Sequence, residues 1–216
     1  QLTVQEIVGQ FVIAKQINPK ISRIIFMGMG EPMLNIDNVL ASIQTLTHET
    51  QFNISNRRIT VSTVGYLAGL KALIESGIIL NLAFSVGSAL PQKRQIIMPF
   101  EKRNPILEIT KLLKTYLNTH NRKLTLEYTL LKGVNDTPMD AKALSQLALF
   151  LNAKVNLINL NPHEKIPFAS LDGHQVHQFK EQLKKEKIPV TVRFRKGQKI
   201  AAACGQLGES HLKGSA

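Results

Sequence analysis

Glycine-rich and polar segments follow several of the apolar runs in this sequence. Residues 28–32 read GMGEP; the two glycines allow close backbone approach, and Pro32 directs the chain away from a helix. A carboxylate or an exposed carbonyl at this point could hold an ammonium group. The spacing is not the GxGxxG of a dinucleotide-binding loop, which argues against a phosphate site. Similar segments follow later runs: Ser62-Thr63-Val64-Gly65, Ser85-Val86-Gly87-Ser88 and Asn161-Pro162.

The chain has a single cysteine, Cys204, within AAACGQ. Lone cysteines are usually small buried hydrophobes, but here the flanking Ala and Gly leave room for a bulky ligand. Nearby cations would favour the thiolate and attract phosphate, and Phe194 among them could stack on a base. A solvated basic hairpin is the alternative explanation. The cations are Arg193, Arg195, Lys196 and Lys199.

Other candidate groups are less specific. Glu127 lies within an apolar run, where it is either a buried general base or a strand-end carboxylate paired with a lysine. His174 and His177 have i, i+3 spacing without an HExxH frame, so we predict that both lie on the surface and that the chain has no metal site. The sequence contains no Walker A loop, nucleophile elbow or Ser-His-Asp order.

Helical and strand patterns alternate along the chain. This alternation predicts an α/β fold with a parallel sheet, either doubly wound or a β/α barrel. The carboxyl ends of parallel strands meet at one edge, where the polar segments are therefore expected to lie together. Helices are expected over 4–17, 38–47, 67–76, 104–119, 137–150 and 172–187, and strands over 23–27, 59–62, 80–85, 124–130, 155–160 and 189–193.

Composition limits the class of protein. The 216 residues suffice for one large domain, and 27 Lys and Arg against 15 Asp and Glu give a net charge of +12, which suggests a polyanionic partner. One Cys excludes a disulfide framework, and no run approaches the roughly 18 apolar residues of a membrane span. We expect a cytoplasmic protein. The chain begins without Met or a secretory signal, and is expected to be a piece of something longer.

Taken together, these segments resemble a known family, the radical S-adenosylmethionine 23S ribosomal RNA (adenine carbon 2) methyltransferases. The resemblance covers nearly the whole chain in order, and GMGEP and AACGQL are its most specific parts. The matching segments are FMGMGEPMLN (26–35), VSTVG (61–65), LEYTLLKGVND (126–136), VNLINLNP (155–162), VTVR (190–193) and AACGQL (202–207).

The resemblance implies a partial (β/α) barrel of radical S-adenosylmethionine type, lacking here the first strand and the cluster loop. Residues 1–188 would form the barrel, and 189–216 the last strand and the cysteine-bearing segment of the same domain. S-adenosylmethionine would bind at the strand carboxyl ends, with its methionine end at Gly30 and Glu31. The further cofactor contacts would be Ser62, Ser85 and Asn161, and the RNA contacts Arg193, Phe194, Arg195 and Lys196.

The resemblance also implies a mechanism. Cys204 resembles the cysteine that first accepts a methyl group, which a deoxyadenosyl radical then activates for addition to adenine; a second cysteine resolves the adduct. The family holds a four-iron four-sulfur cluster on a CxxxCxxC motif before the segment that resembles residues 1–3. One Cys cannot supply three thiolates, so the chain is expected to be a fragment or a degenerate relative.

Two smaller departures from the family lie at the expected site. Gly87 stands where relatives have His, and Lys199 and Ala201 stand where they have acidic residues. Three alternatives therefore stay open: a non-catalytic RNA-binding relative, methylation at adenine carbon 8, and a metabolic β/α enzyme. The expected partner is ribosomal RNA, with transfer RNA as a second substrate in the family. We expect no membrane association and, although the residues do not fix the oligomeric state, a monomer.

Overall fold

A computed structural model describes residues 1–27, 30–120, 122–161 and 167–193. These residues form two compact units. The first consists of residues 1–27, 31–84 and 106–124, and the second of residue 30, residues 85–105 and the described residues from 125 onward. Among the described residues, no helix is both long enough and apolar enough to cross a membrane.

Helices and strands alternate along the described chain, with short 3₁₀ helices at Pro32–Asn35, Asn56–Arg58 and Pro99–Lys102. The predicted α/β class is thereby confirmed. In chain order the elements are α1 (Val4–Ile17), β1 (Ile24–Phe26), α2 (Ile36–Thr47), β2 (Ile59–Thr63), α3 (Leu67–Glu75), β3 (Asn81–Ser85), α4 (Pro91–Ile97), α5 (Ile106–Thr119), β4 (Leu124–Leu130), α6 (Pro138–Leu151), β5 (Lys154–Asn159), α7 (Gly173–Lys185) and β6 (Val190–Arg193).

The first unit is built on β1, β2 and β3, which pair in parallel. Ile24 is opposite Ile59, and Thr60 is opposite Asn81. Helix α2 buries one stripe of side chains spaced four and three residues apart: Val39, Ile43 and Leu46. The hydroxyl of Tyr116 on α5 accepts from the Leu80 amide and donates to the Leu80 carbonyl, which fastens α5 to the start of β3.

The second unit contains β4, β5 and β6, again paired in parallel, with Leu126 opposite Val155 and Val155 opposite Val190. Burial alternates along β4: Leu126 and Tyr128 are buried, whereas Glu127 between them is half-buried. The Tyr128 ring stacks on Phe179 of α7, with 5.6 Å between ring centroids. The buried face of β4 therefore packs on the helices of this unit.

Local signals predicted most helix ends. Thr3 and Glu6 form the expected capping box of α1, and Thr137 and Asp140 form another at the start of α6. The interpretation of Pro32 was wrong, because this proline starts a 3₁₀ helix, where its missing N–H costs nothing, while the preceding residue is extended. Helix α4 was missed, since its seven residues are too few for a periodic pattern. The division at residue 188 stays a prediction.

Candidate functional site

Glu31 joins the end of β1 to the end of β2. One carboxylate oxygen, Oε1, accepts from the Met33 amide at 3.0 Å and from Thr63 Oγ1 at 2.6 Å. The other, Oε2, accepts from the Val64 amide at 2.8 Å. A carboxylate has about four acceptor positions, so three internal donors occupy most of this one. About one acceptor position of this carboxylate is therefore left for a group from outside the protein.

Thr63, which the sequence analysis did not single out, completes this arrangement. Besides donating to Glu31, its hydroxyl accepts from the Gly65 amide at 2.8 Å. Gly65 has a φ of +94°, and a Cβ there would come within 2.6 Å of the Ile109 side chain. Only glycine fits this turn, because both the backbone angle and the space exclude a side chain. The VSTVG pattern contained both residues, yet nothing in it assigned Thr63 to Glu31.

Ser62 is on the same strand end, with 8% of its surface exposed. No described residue hydrogen-bonds to its hydroxyl. A hydroxyl that no described residue engages can donate to or accept from a ligand. In the first unit, the structure thus brings two predicted residues, Glu31 and Ser62, to one end of adjacent strands.

In the second unit, the segment after β3 is held by a buried amide. Asn135 Nδ2 donates to the Gly87 carbonyl at 2.7 Å and to the Thr129 carbonyl at 2.8 Å. Its Oδ1 accepts from the Leu131 amide at 2.8 Å, and Asn135 is fully buried. The segments after β3 and β4 are therefore tied together through one side chain. Predicted residue Ser85 ends β3, just before this clamp.

A buried arginine supports the same segment. Arg94 Nε donates to the Val86 carbonyl at 2.9 Å, and its guanidinium pairs with the buried Glu101 and contacts the Asn104 carbonyl. Burial lowers the pKa of Arg94, while the hydrogen bond and charge of Glu101 oppose that shift. Removing either partner would leave a buried charge, so this pair fixes residues 86–104 as one piece.

Gly87 occupies the position where the relatives have a histidine. Its φ is +66°, and a Cβ there would lie 3.1 Å from the Met98 side chain. The histidine of the relatives could be placed here only with backbone strain and a shift of Met98. The local turn and the Gly87 departure are thus consistent with each other.

No pattern in the sequence indicated the roles of Asn135 and Arg94. Asn135 lies in the GVND tetrapeptide (133–136), which was noted only as part of the resemblance.

Asn161 presents a buried acceptor without a donor. Its Oδ1 has no hydrogen-bond partner among the described residues. Asn159, two residues earlier, differs: its side chain donates to and accepts from the backbone of Leu171. Leaving a buried acceptor unpaired costs on the order of 1–3 kcal/mol, and a ligand that donates an N–H or O–H would recover it. Asn161 therefore carries, after the end of β5, an acceptor that no described residue occupies.

Glu127 lies in the middle of β4 rather than at its end. Asn156 Nδ2 donates to its Oε2 at 2.8 Å, and Thr191 Oγ1 donates to Asn156 Oδ1 at 3.0 Å. Burial raises the pKa of Glu127, although Asn156, Arg193 and Lys154 act in the opposite direction. Within the described ranges Glu127 has no ion-pair partner, so the lysine-paired alternative is not supported.

The remaining predictions fall on the surface or outside the described residues. His174 and His177 are exposed, as expected, and the described part of the chain contains no group of three or more potential metal ligands. Arg193 is exposed at the end of β6. Five predicted or flanking residues lie outside the described ranges: Phe194, Arg195, Lys196, Lys199 and Cys204.

Comparison with known families and solved structures shows to which family this chain belongs. The family model "Radical SAM superfamily" matches residues 1–143. The chain belongs to the radical SAM superfamily. Its predicted fold class is confirmed by a radical SAM methyltransferase from Sphaerobacter thermophilus, whose structure matches with a TM-score of 0.89 and 35% identity over 95% of this chain and 61% of that one. A domain of pyruvate-formate lyase-activating enzyme from Bacteroides vulgatus, at 18% identity and a TM-score of 0.57, shares the fold alone.

Curated relatives of this radical SAM chain are RNA-modifying enzymes by name. A "Probable dual-specificity RNA methyltransferase RlmN" from Akkermansia muciniphila is 40% identical over 95% of this chain and 58% of its own length. A protein of the same name from Thermus thermophilus is 40% identical over 95% of this chain and 59% of its own length. The predicted resemblance is confirmed, and the chain spans about three fifths of the length of these relatives.

Superfamily membership implies S-adenosylmethionine and an iron-sulfur cluster, and the chain fits them unequally. Asn161 Oδ1, at a predicted cofactor contact, is a buried acceptor with no hydrogen-bond partner among the described residues, so the residues present fit S-adenosylmethionine. They do not fit the cluster, because the whole sequence has one Cys and the cluster motif needs three. No cluster chemistry is therefore assigned to the residues of this radical SAM chain.

Proposed function

We propose that this chain forms the S-adenosylmethionine-binding part of an RNA methyltransferase that modifies carbon 2 of an adenine in 23S ribosomal RNA. The observation that carries the proposal is the unpaired buried oxygen of Asn161, which lies where the resemblance expects the cofactor. The names of the relatives support the reaction class. When bound, S-adenosylmethionine would supply the methyl group.

The described residues divide the work of holding this cofactor. Glu31 fixes the loop after β1 through its three hydrogen bonds, and the backbone carbonyl of Gly30 is proposed to accept from the ammonium group. Ser62 and Ser85 offer hydroxyls that no described residue engages. Asn161 Oδ1 accepts one N–H or O–H of the cofactor.

Cys204 is proposed as the methyl acceptor. Carbon 2 of adenine is not nucleophilic, so a direct polar transfer from a sulfonium to that carbon is unavailable, and a thiolate provides an intermediate acceptor. Cations near Cys204 in the sequence favour the thiolate, and with Phe194 they are proposed to hold RNA. A target base must also leave its stack to reach such a site.

Cofactor binding by Asn161 provides the direct test. Asn161→Ala should weaken S-adenosylmethionine binding by about ten-fold, the equivalent of one lost hydrogen bond, in isothermal titration. Asn118→Ala, in which an exposed asparagine on α5 is removed, is the matched control and should bind as the parent does. Equal affinity of all three proteins for S-adenosylmethionine would contradict the proposed contact.

Catalysis is tested separately, by a variant of Cys204 and by reading the sequence that adjoins Gln1. In a protein that contains the cluster motif, Cys204→Ala should abolish methylation while RNA binding persists. Mass spectrometry of digested RNA would then distinguish adenine carbon 2 from carbon 8, and ribosomal from transfer RNA. If the adjoining sequence lacks CxxxCxxC, radical methylation by this protein is excluded.

A non-catalytic RNA-binding role is the second candidate, favoured by the single cysteine. Phosphate contacts supply most of the affinity of such a protein, so RNA binding would be salt-sensitive and independent of Cys204. Retention of every measurable activity in Cys204→Ala would support this role over methylation.

A further inference from the structure

Cations are concentrated at the amino ends of the strands in the first unit. The segments before β1 (18–23), before β2 (48–58) and after α5 (120–123) contain six Lys and Arg residues against one carboxylate, Glu49. We call these six residues the amino-end rim: Lys20, Arg23, Arg57, Arg58, Arg122 and Lys123. None of them belongs to the predicted cofactor or RNA contacts.

Strand register brings the rim residues together. Ile24 of β1 is opposite Ile59 of β2, so the preceding residues, Arg23 and Arg58, are neighbours on strands about 4.8 Å apart. On the next strand, Asn81 Nδ2 donates to the Arg57 carbonyl at 2.8 Å. The backbone of the segment after α5 follows, since the Leu82 amide donates to the Lys123 carbonyl at 3.4 Å. The backbones of four rim residues, Arg23, Arg57, Arg58 and Lys123, therefore lie side by side at the amino ends of β1, β2 and β3.

The rim cations are unpaired. Lys20, Arg23, Arg57, Arg58 and Lys123 are exposed, and within the part of the chain that the structure describes none of the six forms an ion pair. The half-buried Arg122 also has a buried Nε with no hydrogen-bond partner there. Like charges placed side by side repel, so this arrangement is unfavourable unless an anion binds to it.

The shape and charge of the rim suit a phosphodiester backbone. Arginine presents a planar fork that matches the oxygens of a phosphate, and a row of cations matches a row of phosphates better than a single anion. The Glu31 site lies at the opposite end of β2, whose five residues span roughly 16 Å. A backbone held at the rim is thus separate from the Glu31 site.

We propose that the amino-end rim is a sequence-independent binding surface for the phosphate backbone of RNA. The choice of RNA as the partner rests on the proposed function. The rim would add affinity for the strand or helix that flanks the modified adenine without reading its bases, because phosphate contacts carry no sequence information.

Charge reversal at two register neighbours tests the rim. In the full chain, Arg23→Glu combined with Arg58→Glu should weaken binding of a fluorescein-labelled single-stranded RNA on the order of ten-fold in fluorescence anisotropy. The slope of log affinity against log salt should become shallower by about 1.4, since each lost phosphate contact removes about 0.7. If charge reversal impairs folding, the neutral pair Arg23→Gln with Arg58→Gln is measured instead. It removes the same two cations and should show the same slope change.

Lys71→Glu combined with Lys142→Glu is the matched control. Both lysines are exposed on helices, and the pair changes the net charge of the chain by the same amount as the rim variant. Its salt slope should equal that of the parent. Equal loss in the rim and control variants would show non-specific attraction, and would overturn the proposal. So would loss of binding to phosphatidylserine vesicles with unchanged RNA affinity, because the rim would then serve a membrane.

Titration of S-adenosylmethionine into the same variants separates this proposal from the proposed function. The rim variant should bind the cofactor as the parent does. A rim variant with unchanged RNA affinity, in a chain that still binds S-adenosylmethionine through Asn161, would overturn the rim and leave the proposed function standing. A parent chain with no RNA affinity would overturn the rim, whereas lost cofactor binding in Asn161→Ala would still support the cofactor site.

Discussion

Glu31 and Glu127 are both glutamates on parallel strands or their ends, but their carboxylates have different surroundings. Glu31 accepts three hydrogen bonds, two of them from backbone amides. Glu127 accepts one, from Asn156, and burial raises its pKa. Replacing Glu31 would remove the acceptor of three hydrogen bonds in the loop after β1, whereas replacing Glu127 would remove the acceptor of one.

The difference shows that a carboxylate at the expected cofactor site can be structural. Glu31 lies in the motif that the resemblance associates with the cofactor, yet its oxygens are engaged by the protein itself. Glu127 was a candidate base on weaker grounds, yet its carboxylate accepts only one hydrogen bond from the described residues. Motif membership and chemical availability are therefore separate properties of a residue.

The largest effect is expected from Glu31→Ala. Three donors would lose their acceptor, and the free energy of unfolding should fall by about 2–4 kcal/mol in urea titration. Glu108→Ala removes an exposed carboxylate paired with Lys111 and should cost at most about 0.5 kcal/mol. Similar losses in the two variants would mean that Glu31 does not anchor its loop.

Thr63→Val should have an intermediate effect. Valine keeps the shape of the buried side chain but removes the donor to Glu31 and the acceptor for the Gly65 amide, so unfolding should become easier by about 1–2 kcal/mol. The control is Thr129→Val on β4, whose half-exposed hydroxyl has no hydrogen bond to a described residue. Unfolding of the two valine variants at the same urea concentration would show that the Thr63 hydroxyl does not stabilise the contact with Glu31.

The smallest effect is expected from Glu127→Gln, and it depends on pH. Because the folded-state pKa lies above the ordinary value of 4.5, the unfolded chain loses its proton first as the pH rises. Glu127 therefore favours the folded state at low pH, and this contribution disappears as the pH rises through the folded pKa. The variant should be more stable than the parent near neutral pH, by less than the changes expected for Glu31→Ala and Thr63→Val, and equal to the parent in acid.

Urea unfolding of both proteins between pH 4 and pH 8 measures this difference. Glu186→Gln, which alters an exposed carboxylate after α7, should leave the pH dependence of the parent unchanged. A stability difference between Glu127→Gln and the parent that does not vary with pH would show that Glu127 has an ordinary pKa.

Sequence patterns predicted the two units unevenly. The apolar alternation of LTLEYTL predicted β4 with the bounds that the structure shows, because every second side chain is buried against the helices. Helix α4 escaped prediction, since its fully buried side chain is the charged Arg94, which no hydrophobic pattern includes. At the candidate site, Ser62, Ser85 and Asn161 were named from strand ends. The contact residues Thr63 and Asn135 were not named, because their partners are far away in sequence.

The sequence alone determined the alternation of helices and strands, the capping boxes and the family, because each depends on near neighbours or on the order of short segments along the chain. Tertiary structure decided how the polar groups are used. Glu31 meets Thr63 across 32 positions, and Asn135 meets Gly87 across 48. Such pairs exist only once parallel strands have set their register, so no local pattern could have assigned one side chain to a ligand and another to the protein itself.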